Sequence, residues 1–91
     1  MKYPKDEKTG VEVRFLLDLS TGHVPGPNPK FGTFRTCTHE HGWTVFLHDE
    51  WKDAPIWMLP TLGLAKRMGC SIINYDEAGS LYPDGLPVWE W

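Results

Sequence analysis

Apolar and polar residues alternate along residues 11–19. Val11, Val13, Phe15, Leu17 and Leu19 fall on one side of an extended chain, with Glu12, Arg14 and Asp18 on the other. That period predicts a strand with one apolar face. Residues 20–29 hold three prolines and two glycines, a density no regular element survives, so they predict an ordered loop. Residues 33–40 and 43–48 are both compatible with strands, and His41-Gly42 between them suits a two-residue hairpin turn. This register pairs Glu40 with Trp43, Thr38 with Val45 and Thr36 with Leu47. It places Phe34, Val45 and Leu47 on one face and Cys37, His39 and Phe46 on the other. A slip of one residue would invert both sets.

The pattern then changes to a helical one. Met58, Leu59, Leu62 and Ala65 form an apolar stripe within a helix expected over residues 54–68. Asp53 is placed to cap it, with Pro55 in the first turn. Pro60 must either kink this helix or split it into a short turn and a main body that starts near Pro60. Lys66 and Arg67 suit the negative end of the helix dipole, and Gly69 suits the left-handed position that ends a helix. Residues 70–75 are continuously apolar in character and predict a central strand. Residues 76–85 read as a polar loop, and residues 88–90 as a short edge strand. Trp89 and Trp91 are too large to leave loose, so the C-terminal segment is expected to pack on the domain or on a partner.

These elements predict a single α+β domain of two layers over residues 11–91, after a flexible N-terminus at 1–10. About four strands form a mixed or antiparallel sheet, with a ββ-hairpin, a helix crossover and one main helix on one face. A parallel arrangement of strands 43–48 and 70–75 would require a right-handed crossover. The helix is expected to cover the apolar side of strand 11–19. The opposite face is left to solvent, to the C-terminal aromatic segment or to a ligand.

Composition narrows the class. Ninety-one residues give one domain with a modest core. No apolar run reaches the length of a membrane span, and the N-terminus lacks the apolar core of a signal peptide, so the chain reads as cytoplasmic. In that compartment Cys37 and Cys70 are expected to be reduced, buried thiols. The net charge of −3 is uneven: residues 1–35 carry +2 and residues 36–91 carry −5. The acidic half argues against direct binding to nucleic acid and favours a protein partner with a basic surface.

Candidate chemistry is sparse. Cys37, His39 and His41 alternate along one strand and could offer ligands to zinc or copper. The second cysteine is distant, however, there is no CxxC, and His41 falls in the turn. No metal or cofactor is assigned. Ser20 and His23 lie where strand 11–19 ends, and Asp76 where strand 70–75 ends. If those strands are parallel neighbours the three meet, at the edge where open sheets often bind ligands. A hydrolytic triad could be drawn there, but no nucleophile elbow supports it, and backbone capping by Ser20 and Asp76 is the simpler role. Asp49, Glu50 and Asp53 surround Trp51 before the helix. An aromatic anchor among steering charges is the preferred binding candidate, against a Trp51 that packs under the helix N-terminus.

Several stretches also resemble a known family. They are Leu17-Asp18-Leu19-Ser20-Thr21-Gly22-His23-Val24-Pro25, Gly42-Trp43, Ala65-Lys66-Arg67-Met68-Gly69-Cys70, Asp76, and Leu86-Pro87-Val88-Trp89-Glu90-Trp91. The pattern resembles small uncharacterised proteins of phages, plasmids and other mobile elements, described only as a domain of unknown function. It covers most of residues 15–91. The resemblance carries no activity and no catalytic residues. It implies a protein of mobile DNA that docks on a host or element protein, with anti-CRISPR-like inhibition of a nuclease complex as one form of that action. Two other readings stand beside it. One is a small hydrolase or metal-dependent enzyme built on Ser20, His23 and Asp76 or on Cys37 and His39. The other is an accessory protein of the element with no inhibitory role.

Overall fold

A computed structural model describes residues 4–91. The chain forms strands β1 (Phe15–Ser20), β2 (Arg35–His39), β3 (Gly42–Phe46) and β4 (Cys70–Asp76), and one helix, α1 (Leu59–Met68). The sheet order is β1-β4-β3-β2, with β1 parallel to β4 and the other pairs antiparallel. β4 is central, as its apolar content predicts. The parallel pair is therefore β1 with β4, and the helix crossover from β3 to β4 joins antiparallel strands.

The hairpin turns one step earlier than its sequence suggests. His39 faces Gly42 and Thr38 faces Trp43, so Glu40 and His41 make the turn. The pairing differs from the expected register by two residues, which leaves every side chain on its expected face. Phe34, Val45 and Leu47 are buried, while Cys37, His39 and Phe46 are on the other side. Gly42 is displaced from the turn because β4 needs it in the ladder. Its φ is 153°, and a Cβ there would collide with the Tyr75 carbonyl oxygen.

Pro60 divides the helical segment as its ring chemistry requires. A 3₁₀ turn (Ile56–Met58) leads into α1, which starts just before the proline. The expected Asp53 cap is not used, because the first turn begins after Pro55 and α1 has no side-chain cap. Gly69 ends the helix at φ 71°, its N–H on the Ala65 and Lys66 carbonyls. Met58, Leu62 and Ala65 are fully buried, whereas Leu59 is 46% exposed. Thr61, one turn below Ala65, takes its place in the stripe.

These apolar residues meet Leu17, Leu19, Val45, Ile73 and Tyr75 in one core under one face of the sheet. Phe31 stacks on Tyr75 with ring centroids 6.0 Å apart and meets Trp57 edge-on at 5.5 Å. Full burial of each such side chain contributes about 1.5–3 kcal/mol. The Tyr75 hydroxyl is the exception. Burial pushes its pKa well above the ordinary phenol value, Thr61 offsets a little of that shift, and no hydrogen bond of standard geometry satisfies it.

The first strand is shorter than its alternation. β4 starts at Cys70, just after the helix stop, so no strand of the sheet pairs with residues 11–14, and the register slips between Phe15 and Leu16. Val11, Val13 and Phe15 are consequently exposed. Residues 4–13 fold back on themselves at the surface, with Asp6 and Val13 donating to Val11 and Pro4 carbonyls at 2.7 Å. Of the N-terminus expected to be flexible, residues 1–3 lie outside the described residues. The C-terminal segment packs on the domain without adding a strand. Leu86 is buried, Trp89 meets Trp57 edge-on at 6.2 Å, and Trp91 Nε1 donates to the Val24 carbonyl at 2.7 Å. Among the described residues no helix is long and apolar enough to cross a membrane.

Candidate functional site

Parallel pairing of β1 and β4 brings their C-terminal ends together, with Ser20 beside Asp76. His23 follows in a 3₁₀ turn (Thr21–His23). All three side chains are turned to backbone groups. Ser20 Oγ accepts from Gly22 N at 3.0 Å, and Asp76 Oδ1 accepts from Ala78 N at 2.9 Å. His23 is 1% exposed. Its Nε2 accepts from Tyr82 N at 2.8 Å, and its Nδ1 lies 2.8 Å from the Pro87 carbonyl. An imidazole that accepts at Nε2 and donates at Nδ1 is neutral and has a fixed tautomer. Both nitrogens are used, so this histidine ties two distant loops together and has no lone pair to offer a serine.

Asp49, Glu50 and Asp53 lie at the opposite end of the sheet, because they follow β3, which runs antiparallel to β4. With Thr33, His48 and Lys52 they line a shallow surface concavity. Trp51 does not stand free among them. It is half-buried against the edge of the core, Nε1 donates to the His48 carbonyl at 3.0 Å, and Lys66 Nζ lies 5.7 Å from its ring centroid. Its neighbour is therefore the last turn of α1, where the sequence suggested the N-terminus.

Cys37, His39 and Phe46 belong to the face of the sheet that α1 leaves uncovered. Three rows cross this face in register. The first is Leu16, Ile72, Phe46 and Arg35. The second is Asp18, Asn74, Thr44 and Cys37. The third is Ser20, Asp76, Gly42 and His39. None of these residues is buried. The first row is apolar and ends with the Arg35 guanidinium 4.8 Å from the Phe46 ring centroid, a cation–π distance.

The second row is a polar network. Thr44 Oγ1 donates to Asn74 Oδ1 at 2.9 Å, and His39 Nε2 reaches the same oxygen at 3.1 Å. Asn74 Nδ2 donates to Asp18 Oδ1 at 3.1 Å. His39 Nδ1 accepts from His41 N at 3.3 Å, so the His39 ring is also neutral, with its proton on Nε2. Cys37 is exposed, contrary to the expected buried thiol, because β2 is an edge strand and its odd residues face outward. No hydrogen bond joins Cys37 to His39. His41 is drawn away toward Glu40 and Glu77, both at 3.8 Å. Among the described residues no three His, Cys, Asp or Glu side chains converge as metal ligands.

Of the network residues, Thr44 and Asn74 are not singled out by the sequence, and Asp18 stands out there only on the polar side of strand 11–19. Their signal is present in β4, where Ile72, Asn74 and Asp76 alternate with the buried Ser71, Ile73 and Tyr75. The alternation marks one open face, whereas the overall apolar content points only to a central strand. No family model matches the chain, and neither a curated protein nor a solved structure matches it significantly.

Proposed function

We propose that this chain is a non-enzymatic binding module that offers the open face of its sheet to a protein partner. The observation that carries this reading is the in-register face itself. Leu16, Ile72 and Phe46 present partly exposed apolar surface beside a held arginine. The Asp18–Asn74–Thr44–His39 network beside them is already ordered. An apolar strip with fixed polar neighbours binds without first losing much side-chain entropy. The carboxylates of Asp49, Glu50 and Asp53 favour a partner with a basic surface, and screening of them would make association sensitive to salt. The likeness to proteins of mobile DNA makes a host or element protein the partner to seek. Inhibition of a nuclease defence complex is the first activity to assay.

The test is affinity capture from host cells with three proteins: the parent, Phe46→Ser, and a triple variant Asp49→Asn, Glu50→Gln, Asp53→Asn. A partner held by the parent and lost with Phe46→Ser, while that variant keeps its melting temperature, supports the open face. A partner lost only with the triple variant moves the site to the acidic turn. Equal recovery by all three refutes both surfaces. In parallel, host cells with a nuclease defence are challenged with targeted DNA. Protection by the parent and its loss with Phe46→Ser would identify the protein as an inhibitor.

A second reading has one specific observation behind it. His39 donates to Asn74 with an exposed thiol two residues away on the same strand, an order of groups that cysteine hydrolases also use, and this reading requires the His39 Nδ1 bond from His41 N to give way to the thiol. Stoichiometric loss of the thiol to an electrophilic acyl probe, at a rate far above that of free cysteine and abolished by His39→Ala, would favour that reading. Ordinary reactivity excludes it.

A further inference from the structure

The sheet has two edges, and they differ. On the outer edge of β1, Ser20 N donates to the Ser80 carbonyl at 2.8 Å, and Leu19 bridges to Ser80. The register slip at Phe15 and Leu16 spoils the rest of that edge. The outer edge of β2 has no such cover. Among the described residues no backbone hydrogen bond reaches residues 35–39 from outside the hairpin.

The direction of each backbone group on β2 follows from one bond. Leu47 N donates to the Ser71 carbonyl at 2.9 Å. Antiparallel ladders alternate, so Val45 and Trp43 also turn their groups to β4, and Gly42, Thr44 and Phe46 turn theirs to β2. Their partners His39, Cys37 and Arg35 face inward. Thr36 and Thr38 then point their N–H and C=O groups out of the sheet. Thr38 is exposed and Thr36 half-buried. Native edges are usually guarded by lysine, proline or a bulge, and β2 has none of these.

We propose that β2 pairs antiparallel with β2 of a second copy of this chain, about a two-fold axis at Cys37, to make one continuous eight-stranded sheet. A second copy is the occupant because the strand is complementary to itself. With Cys37 opposite Cys37, each Thr36 meets the second copy's Thr38, and every outward group of both threonines is paired. A two-fold at either threonine pairs that residue and leaves the other facing chain outside the strand. Cross-strand threonine pairs are also favourable in their own right. The two Cys37 residues then occupy a non-hydrogen-bonded site, where Cα atoms are about 4.5 Å apart, within the span a disulfide bridges. A five-residue edge buries less than a stable interface of roughly 1,200 Å² requires, so the pairing is reversible and depends on concentration. This inference is independent of which partner the open face binds.

Sedimentation velocity in reductant, across about two decades of protein concentration, should show monomer passing to dimer. Thr38→Pro removes an outward N–H without touching the ladder to β3, and should weaken the dimer roughly thirtyfold. Oxidised glutathione supplies a covalent readout. It takes two electrons from two Cys37 thiols, leaving a Cys37–Cys37 disulfide and two reduced glutathiones. Disulfide dimer should form in the parent, slow markedly in Thr38→Pro, and vanish in Cys37→Ser. If Thr38→Pro does not fold, amide exchange in the parent decides. Thr36 and Thr38 should exchange more slowly as concentration rises. A chain that stays monomeric throughout, a dimer indifferent to Thr38→Pro, or threonine amides indifferent to concentration overturns the proposal.

Discussion

Replacing His23 by alanine should separate the C-terminal segment from the loop it closes. The ring joins Pro87 and Tyr82, 64 and 59 residues away, through two bonds of 2.8 Å. Each such bond contributes about 1 kcal/mol net, and a buried group left unpaired costs about 1–3 kcal/mol. Tyr82 and Pro87 are exposed residues, so their freed backbone groups recover water and the penalty falls near the lower bound. Loss of the fully buried imidazole adds a cavity term. Together these give about 2–4 kcal/mol of destabilisation. Urea unfolding, followed by far-ultraviolet circular dichroism, measures it. A double-mutant cycle isolates the mechanism. In a chain lacking residues 86–91 the Pro87 partner is gone, so His23→Ala should cost about 1–2 kcal/mol less than in the full chain. A cost below about 1 kcal/mol in the full chain, or costs that simply add, would refute the pinning role.

Three further outcomes follow from the same geometry. Tyr75→Phe should leave stability unchanged or raise it by about 1 kcal/mol, because the buried hydroxyl has no partner to lose; a clear loss in thermal unfolding would reveal a bond to Thr61 or to water. Gly42→Ala should cost more than about 3 kcal/mol, because its Cβ would collide with the Tyr75 carbonyl, and a normal melting curve would disprove that close approach. A maleimide should label exposed Cys37 in the native state at least about tenfold faster than Cys70, whose burial raises its thiol pKa and withholds the thiolate; equal rates, followed by mass spectrometry, would contradict the difference in burial.

Legibility in the sequence followed local chemistry. Pro60 and Gly69 act through their own backbone torsions, and both mark the helix as their chemistry requires. The faces of the hairpin were readable because side-chain direction depends only on parity, which a two-residue shift preserves. The turn itself was not, since Gly42 is required by contact with Tyr75 from another strand. Exposure of Val11 and Val13 depends on where β4 begins, and the alternation around them carries no trace of that. The site divides in the same way. Ser20 and Asp76 meet as parallel pairing predicts, yet the bonds that occupy His23 come from Tyr82 and Pro87, far along the chain. Trp51 has the composition of an anchor, but the carbonyl of His48 and the Lys66 ammonium beside its ring hold it.

The parallel pairing of β1 with β4 has a kinetic consequence. β2, β3, α1 and β4 form one contiguous stretch whose contacts are local, whereas Leu17 reaches Ile73 only by closing a loop over everything between them. Loop-closure entropy makes that the slowest contact to gain, so β1 should dock after the hairpin and β4 have met. It should also be the first strand to leave. Native-state hydrogen exchange at low denaturant would then show Leu17 and Leu19 amides opening in a partial unfolding that spares Val45, and equal opening energies for the two strands would rule out this order.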